Sequence, residues 1–169
     1  MAKRRVEISI PEEFRNRLPR PWLRKAVLQT LDEVSPNQPC QMSLALCDDA
    51  TIQRLNREYR GVDQVTDVLA FSSQHPGPWQ GEGETSTERQ SNADPFVSPP
   101  EEPPHLGEVI ISYPQAQRQA AEAGHGVERE TALLVVHGVL HLLGHDHQEP
   151  KDKALMWGLQ DKVLARLLP

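Results

Sequence analysis

The chain has 169 residues with a net charge of −6, which suits one domain with a substantial core. Its two cysteines exclude a disulfide framework and favour a reducing compartment. The N-terminus lacks the apolar run of a secretory signal, and no stretch is long and apolar enough to cross a membrane. We therefore expect a cytoplasmic protein with no membrane partner.

The charge is distributed unevenly along the chain. Residues 74–104 hold six acidic residues against one arginine, together with seven prolines and three glycines. Such a composition buries too little apolar surface to fold, so we predict a disordered, acidic, proline-rich insertion inside a single domain spanning 1–169. The N-terminal segment is basic instead, which offers a surface for nucleic-acid phosphates or merely a solvated helix face. Its candidate phosphate contacts are Arg4, Arg5, Arg20, Arg24 and Lys25.

In the first half of the chain, hydrophobic periodicity predicts two strands and two helices. Apolar and polar residues alternate at 6–10 and 41–47, which is typical of strands. Apolar residues keep helical spacing at 20–34. Asp48 or Asp49 is placed to cap a second helix at about 49–58, and Gly61 is placed to end it.

The second half predicts two further strands and three helices. Short apolar runs at 67–72 and 107–112 favour strands joined as an antiparallel hairpin, with the insertion at its tip. Helices are predicted from the Ser112 cap to Gly124, at 128–143 and at 151–168. The inward residues predicted for the last helix are Ala154, Leu155, Leu159, Val163, Leu164 and Leu167. This order predicts an α+β fold, a mixed four-stranded sheet packed with about five helices.

The helix at 128–143 carries the clearest chemical signal. His137 and His141 are four residues apart, so a helix places both imidazoles on one face. Almost all of their neighbours are apolar, which predicts a buried central helix. Buried imidazoles need partners, and a metal ion is a suitable one.

The residues after this helix offer a third ligand. Gly144 favours a turn just past the helix end, which brings His145, Asp146 or His147 toward the pair. Three nitrogen ligands with one position left for water form the usual catalytic zinc site. Satisfied core histidines and incidental metal binding by a histidine-rich tract are the alternatives. Gly138 stands where the H-E-x-x-H peptidase motif has its glutamate, which weakens a peptidase assignment.

Three blocks of the sequence resemble the YbeY family of metal-dependent endoribonucleases, which act in ribosomal RNA maturation. Residues 137–147 resemble the family's histidine signature. Residues 55–61 followed by 66–71 resemble a second block, and 106–111 resemble a third. The departures are Glu108 in place of Asp, Ala70 in place of Ser, and the acidic insertion.

The resemblance implies a site and a function. It implies that His137, His141 and His147 bind one Zn²⁺ per chain, with Asp146 and His145 beside them. It implies that Arg60 is a functional arginine, so that Arg60 and His137 are the candidate catalytic residues.

The implied activity is single-strand-specific, zinc-dependent cleavage of RNA through metal-activated water. It would serve rRNA processing, 3′ end maturation of small-subunit rRNA, and ribosome quality control, with rRNA and the ribosome or its small subunit as partners. The alternatives are a non-catalytic zinc-containing ribosome assembly factor and a zinc peptidase or amidase.

Overall fold

The computed structural model describes residues 3–73, 102–145 and 150–168. Its elements run in chain order as β1 (Arg4–Ser9), a 3₁₀ turn (Glu12–Phe14), α1 (Arg20–Val34), β2 (Cys40–Cys47), α2 (Asp49–Arg60), β3 (Val68–Ser72), β4 (His105–Ser112), α3 (Tyr113–Ala123), α4 (Val127–Leu142) and α5 (Pro150–Leu167). No helix in these ranges is long and apolar enough to cross a membrane.

The four strands form one mixed sheet in the order β1-β2-β4-β3. β1 and β4 both run parallel to β2, whereas β3 runs antiparallel to β4. The predicted α+β class, the mixed four-stranded sheet and the β3–β4 hairpin are therefore confirmed. Helices α1 to α4 contact the sheet, and α5 packs on α1 and α4.

The predicted helix ends are confirmed by their capping geometry. Asp48 accepts a hydrogen bond from the backbone N of Thr51 at 2.9 Å, and α2 ends at Gly61 with φ of 74°. Ser112 caps α3 in the same way, and Gly124 ends it with φ of 79°. A left-handed φ is strained for residues with a Cβ, which explains glycine at both ends.

Helix α4 is the centre of the packing. Ten of its sixteen residues are buried, and it contacts α1, α3, α5, β3 and β4. Its close approach to the sheet depends on Gly138, because a Cβ there would lie 2.6 Å from Cγ1 of Val109. The prediction of a buried central helix is confirmed, and His137 and His141 lie in its C-terminal half.

The predicted inward face of α5 is wrong in its first turns. Ala154 and Leu155 are exposed, Leu155 to 53%, whereas Met156 and Gln160 are buried. Apolar spacing alone predicted the wrong buried face because one residue of the buried stripe, Gln160, is polar. The hydrogen-bond partner of Gln160 lies on α4.

The C-terminal boundary of the predicted insertion also differs. The carbonyls of Pro103 and Pro104 accept hydrogen bonds from Gln41, at 2.7 Å from its Nε2 and 2.9 Å from its backbone N. The chain therefore joins β2 before residue 104. The remainder of the predicted insertion, 74–101, lies outside the described residues.

Candidate functional site

A cavity of about 480 Å³ opens between α4, α5 and the segment that follows α2. Its lining includes Arg60, Asp67, Glu130, His137, Trp157 and Gln160. The fold thus brings Arg60 and His137, which are far apart in sequence, to one cavity. A volume of this size falls within the range of ~300–1,000 Å³ that is common for small-molecule sites.

The two histidines of α4 face each other closely. The ring centroids of His137 and His141 are 4.8 Å apart and the ring planes are inclined by 69°. Both side chains are half-buried. The one-turn spacing therefore puts both imidazoles on one face of α4, as predicted.

Gln160 of α5 forms a hydrogen bond with the His137 ring. Its Oε1 lies 3.0 Å from Nδ1 of His137, and Gln160 is only 6% exposed. An amide oxygen can only accept, so Nδ1 donates and carries the proton. The neutral ring then has its lone pair on Nε2, which is the tautomer that metal-binding histidines use.

Sequence reasoning missed Gln160, whereas the placement of Asp146 and His145 beside the ligands stays a prediction. A polar residue four positions after Met156, in an otherwise apolar stripe of α5, was the available signal. Buried polar side chains need a partner, so that position should have been matched to a histidine on α4.

The third predicted ligand, His147, and the neighbouring Asp146 lie outside the described residues. Within 3–73, 102–145 and 150–168, no group of three or more His, Cys, Asp or Glu side chains is arranged to hold a metal. The predicted turn is confirmed, since Gly144 has φ of 95°. After it, the backbone N of His145 donates to the Leu140 carbonyl at 3.0 Å.

Arg60 is the last residue of α2, and its position is set by a buried asparagine. Its Nη1 donates to Oδ1 of Asn56 at 3.1 Å. Asn56 is 2% exposed, and its Nδ2 donates to the Gln64 carbonyl at 2.9 Å. Asn56 therefore ties the guanidinium to the loop after α2. Sequence reasoning missed this role, although Asn56 belongs to the second family-like block.

A carboxylate network forms another part of the cavity wall. Nε2 of Gln119 donates to Oε2 of Glu130 at 2.8 Å and to Oδ2 of Asp67 at 3.3 Å. Oε1 of Glu130 lies 2.8 Å from Nε2 of His125. Glu130 precedes His137 by seven residues on α4, about 10 Å along the axis. No sequence signal distinguished this network from ordinary surface charge.

The basic residues predicted to contact RNA do not share one environment. Arg4 pairs with Asp32 and donates to the Ser35 carbonyl at 2.7 Å, and its side chain is 7% exposed. These bonds argue against Arg4 as an RNA contact, because its guanidinium ties β1 to the end of α1. Arg20 donates to the Ile8 carbonyl. The side chains of Arg5, Arg24 and Lys25 are exposed.

The cysteines take no part in the site. Both are free and buried. Burial raises the pKa of the Cys47 thiol to about 12 and also raises the pKa of Cys40. Because the thiolate is the reactive form, neither residue is a nucleophile at neutral pH.

The fold and the site together define a class of protein. It is a single α+β domain in which a cavity beside a mixed sheet is lined by histidine and arginine. A family profile described as Endoribonuclease YbeY matches residues 7–168, so the chain belongs to the YbeY family. The resemblance seen in the three sequence blocks is thereby confirmed.

Curated relatives and a solved structure agree with this assignment. A protein from Dehalococcoides mccartyi named Endoribonuclease YbeY is 39% identical over 162 residues, covering 96% of this chain and 89% of the relative. One of the same name from Moorella thermoacetica is 45% identical over 125 residues, covering 74% of this chain and 71% of the relative. The solution structure of TM1509 from Thermotoga maritima has a TM-score of 0.58 at 23% identity, covering 96% of this chain and 88% of that one. This last similarity supports the fold.

Proposed function

We propose that this protein is a zinc-dependent, single-strand-specific endoribonuclease. Its role would be rRNA processing in the cytoplasm, namely 3′ end maturation of small-subunit rRNA, and ribosome quality control. The observation that carries the proposal is the shared cavity of His137 and Arg60 in a chain of the YbeY family. One group suits a metal and the other suits a phosphate, and the two together can promote hydrolysis of a phosphodiester.

In this proposal His137, His141 and His147 hold one Zn²⁺ per chain. The donor set fits zinc because imidazole is its preferred nitrogen ligand, and Gln160 holds His137 in the tautomer with Nε2 available. Bound zinc would lower the pKa of a water molecule to about 7 and so supply hydroxide at neutral pH.

Arg60 binds the scissile phosphate and stabilises the charge that develops on it. Its planar guanidinium matches two phosphate oxygens, which a lysine ammonium cannot do. The hydrogen bond from Arg60 to Asn56 holds this group in place before the substrate binds. Such preorganised charge costs little rearrangement during the reaction.

The packing of Gly138 counts against the peptidase alternative. A glutamate at this position, as in the H-E-x-x-H motif, would need a Cβ that lies 2.6 Å from Val109. The Val109 side chain or the backbone of α4 would have to shift to admit it. The exposed basic side chains of Arg24 and Lys25, adjacent on α1, suit an RNA partner better than a peptide.

The test compares Arg60→Ala with Arg57→Ala, a control on the same helix whose ion pair with Asp63 is exposed and long at 3.8 Å. Substrates are a labelled single-stranded RNA, the same RNA annealed to its complement, and casein. We expect cleavage of the single strand only, a loss of about 100- to 1,000-fold in kcat/KM for Arg60→Ala, and little change for Arg57→Ala. Zinc content should be unchanged in both variants.

Two results would contradict the proposal. Full RNA cleavage by the Arg60→Ala protein would remove Arg60 from the mechanism. Bound zinc without cleavage of RNA, alone or on ribosomal subunits, would instead favour a non-catalytic assembly factor.

A further inference from the structure

Trp157 is an exposed aromatic side chain at the cavity. Trp157 on α5 is 43% exposed and borders the same cavity as Arg60 and His137. Tryptophan side chains are highly buried on average, because their large apolar area makes exposure costly. The exposed part of the indole therefore places an aromatic surface at the cavity that contains His137 and Arg60.

The neighbours of this indole are suited to a nucleotide. The Trp157 and His137 ring centroids are 6.3 Å apart with planes inclined by 71°, so the two rings do not stack face to face. Nζ of Lys153 lies 5.7 Å from the Trp157 ring centre, one helical turn away on α5. An aromatic face beside a cation is the usual arrangement for binding single-stranded nucleic acid, since bases stack and phosphates pair.

The exposure of Trp157 is not part of a general apolar patch. Leu155 is also exposed on α5, but residues two apart on a helix point about 200° apart. Leu155 does not line the cavity. The indole therefore belongs to the cavity rather than to a surface for docking another protein.

We propose that Trp157 is the stacking platform for one unpaired base of the RNA at this site. This inference rests on the proposed function and supplies a physical basis for single-strand specificity. In a duplex both faces of a base are covered by its neighbours, so the indole can stack only on a base that has left the helix. Lys153 and Arg60 then contact phosphates on either side of that nucleotide.

The test measures binding rather than cleavage. Trp157 is the sole tryptophan in a protein carrying Trp22→Phe and Trp79→Phe, so its emission reports directly on stacking. This protein is titrated with a 12-residue single-stranded oligouridylate and with an abasic ribose-phosphate oligomer of equal length and charge. A chelator prevents metal-dependent cleavage, and circular dichroism verifies folding. We expect quenching by oligouridylate and none by the abasic oligomer.

Affinity measurements on variants give a second, independent readout. Trp157→Ala should weaken oligouridylate binding by about 5- to 150-fold, and leave abasic binding unchanged. Trp157→Phe should retain most of the affinity, because it keeps an aromatic face. Leu155→Ala, an exposed apolar residue of the same helix outside the cavity, is the matched control and should bind as wild type.

The outcomes separate this proposal from the proposed function. Trp157 emission that stays constant while oligouridylate binds, or equal binding of oligouridylate by Trp157→Ala and wild type, overturns the stacking role. Either result in a protein that still cleaves RNA leaves the endoribonuclease proposal intact. Base-dependent quenching in a protein that cleaves no RNA supports stacking and refutes the nuclease.

Discussion

The hydrogen bond between Gln160 and His137 gives a sharp test of the site geometry. Gln160→Leu keeps a side chain of similar size in a position that is 6% exposed, but removes the acceptor for Nδ1 of His137. The hydrogen bond between Nδ1 and residue 160 is then lost, and this contact no longer fixes the imidazole tautomer. Gln160→Glu keeps an acceptor and adds a negative charge, which raises the basicity of the ring.

Gln160→Leu should lower the affinity for zinc, whereas Gln160→Glu should not. Losing a hydrogen-bond partner of a metal-binding histidine lowers metal affinity by about 10- to 100-fold, or about 1.4–2.7 kcal/mol. Losing this part-buried hydrogen bond also destabilises the metal-free fold by about 0.5–1.5 kcal/mol. Gln160→Glu should bind zinc at least as tightly as wild type, because a carboxylate is the stronger acceptor.

The assay is competition for zinc against a fluorescent chelator, together with urea unfolding of the metal-free proteins. Asp161→Ala, an exposed neighbour on α5, serves as the control and should match wild type. A Gln160→Leu protein whose zinc affinity stays within twofold of the control would refute the assignment of Gln160 as the residue that orients His137.

Three further predictions concern the fold around the site. Gly107→Ala should destabilise the protein by about 2–6 kcal/mol in urea unfolding, because Gly107 has φ of 133° and a Cβ would overlap the backbone of β3; a loss below 1 kcal/mol would contradict this. Gly138→Ala should cost up to about 2 kcal/mol, since overpacking against Val109 exceeds the gain in helix propensity. Adding Val109→Ala should therefore cost less in the Gly138→Ala background than in wild type, and strict additivity would refute the clash. The hydrogen bond from Arg118 holds the pKa of Asp49 below its usual value, so its stabilisation is present above pH ~4 and is lost as the pH falls through the lowered pKa. Asp49→Asn should flatten the pH dependence of unfolding there, and an unchanged acid limb would argue otherwise.

Local chemistry made the helix ends predictable from the sequence. Asp48, Ser112, Gly61, Gly124 and Gly144 act through their own backbone angles or through atoms a few residues away. The buried character of α4 was equally visible, because nearly every residue around its two histidines is apolar. The order of strands and helices then limited the fold to an α+β class with one mixed sheet.

The polar interior of the site was not predictable in the same way. Gln160 and Asn56 look like ordinary helix residues, and only the tertiary contacts give each a buried partner. Glu130 likewise joins the network only through a tertiary contact, the hydrogen bond that its carboxylate accepts from Gln119 of α3. A hydrophobic pattern predicts that such polar residues face solvent. For the same reason it predicted the wrong buried face for the first turns of α5.

The most direct test of the central claim pairs zinc content with RNA cleavage in wild type, His141→Ala and the control His105→Ala, whose imidazole is at the exposed start of β4. The account predicts one equivalent of zinc and cleavage of single-stranded RNA in wild type and in His105→Ala. It predicts that His141→Ala loses both together while remaining folded. A wild-type protein that cleaves RNA without bound metal, or a His141→Ala protein that keeps both zinc and cleavage, would contradict it.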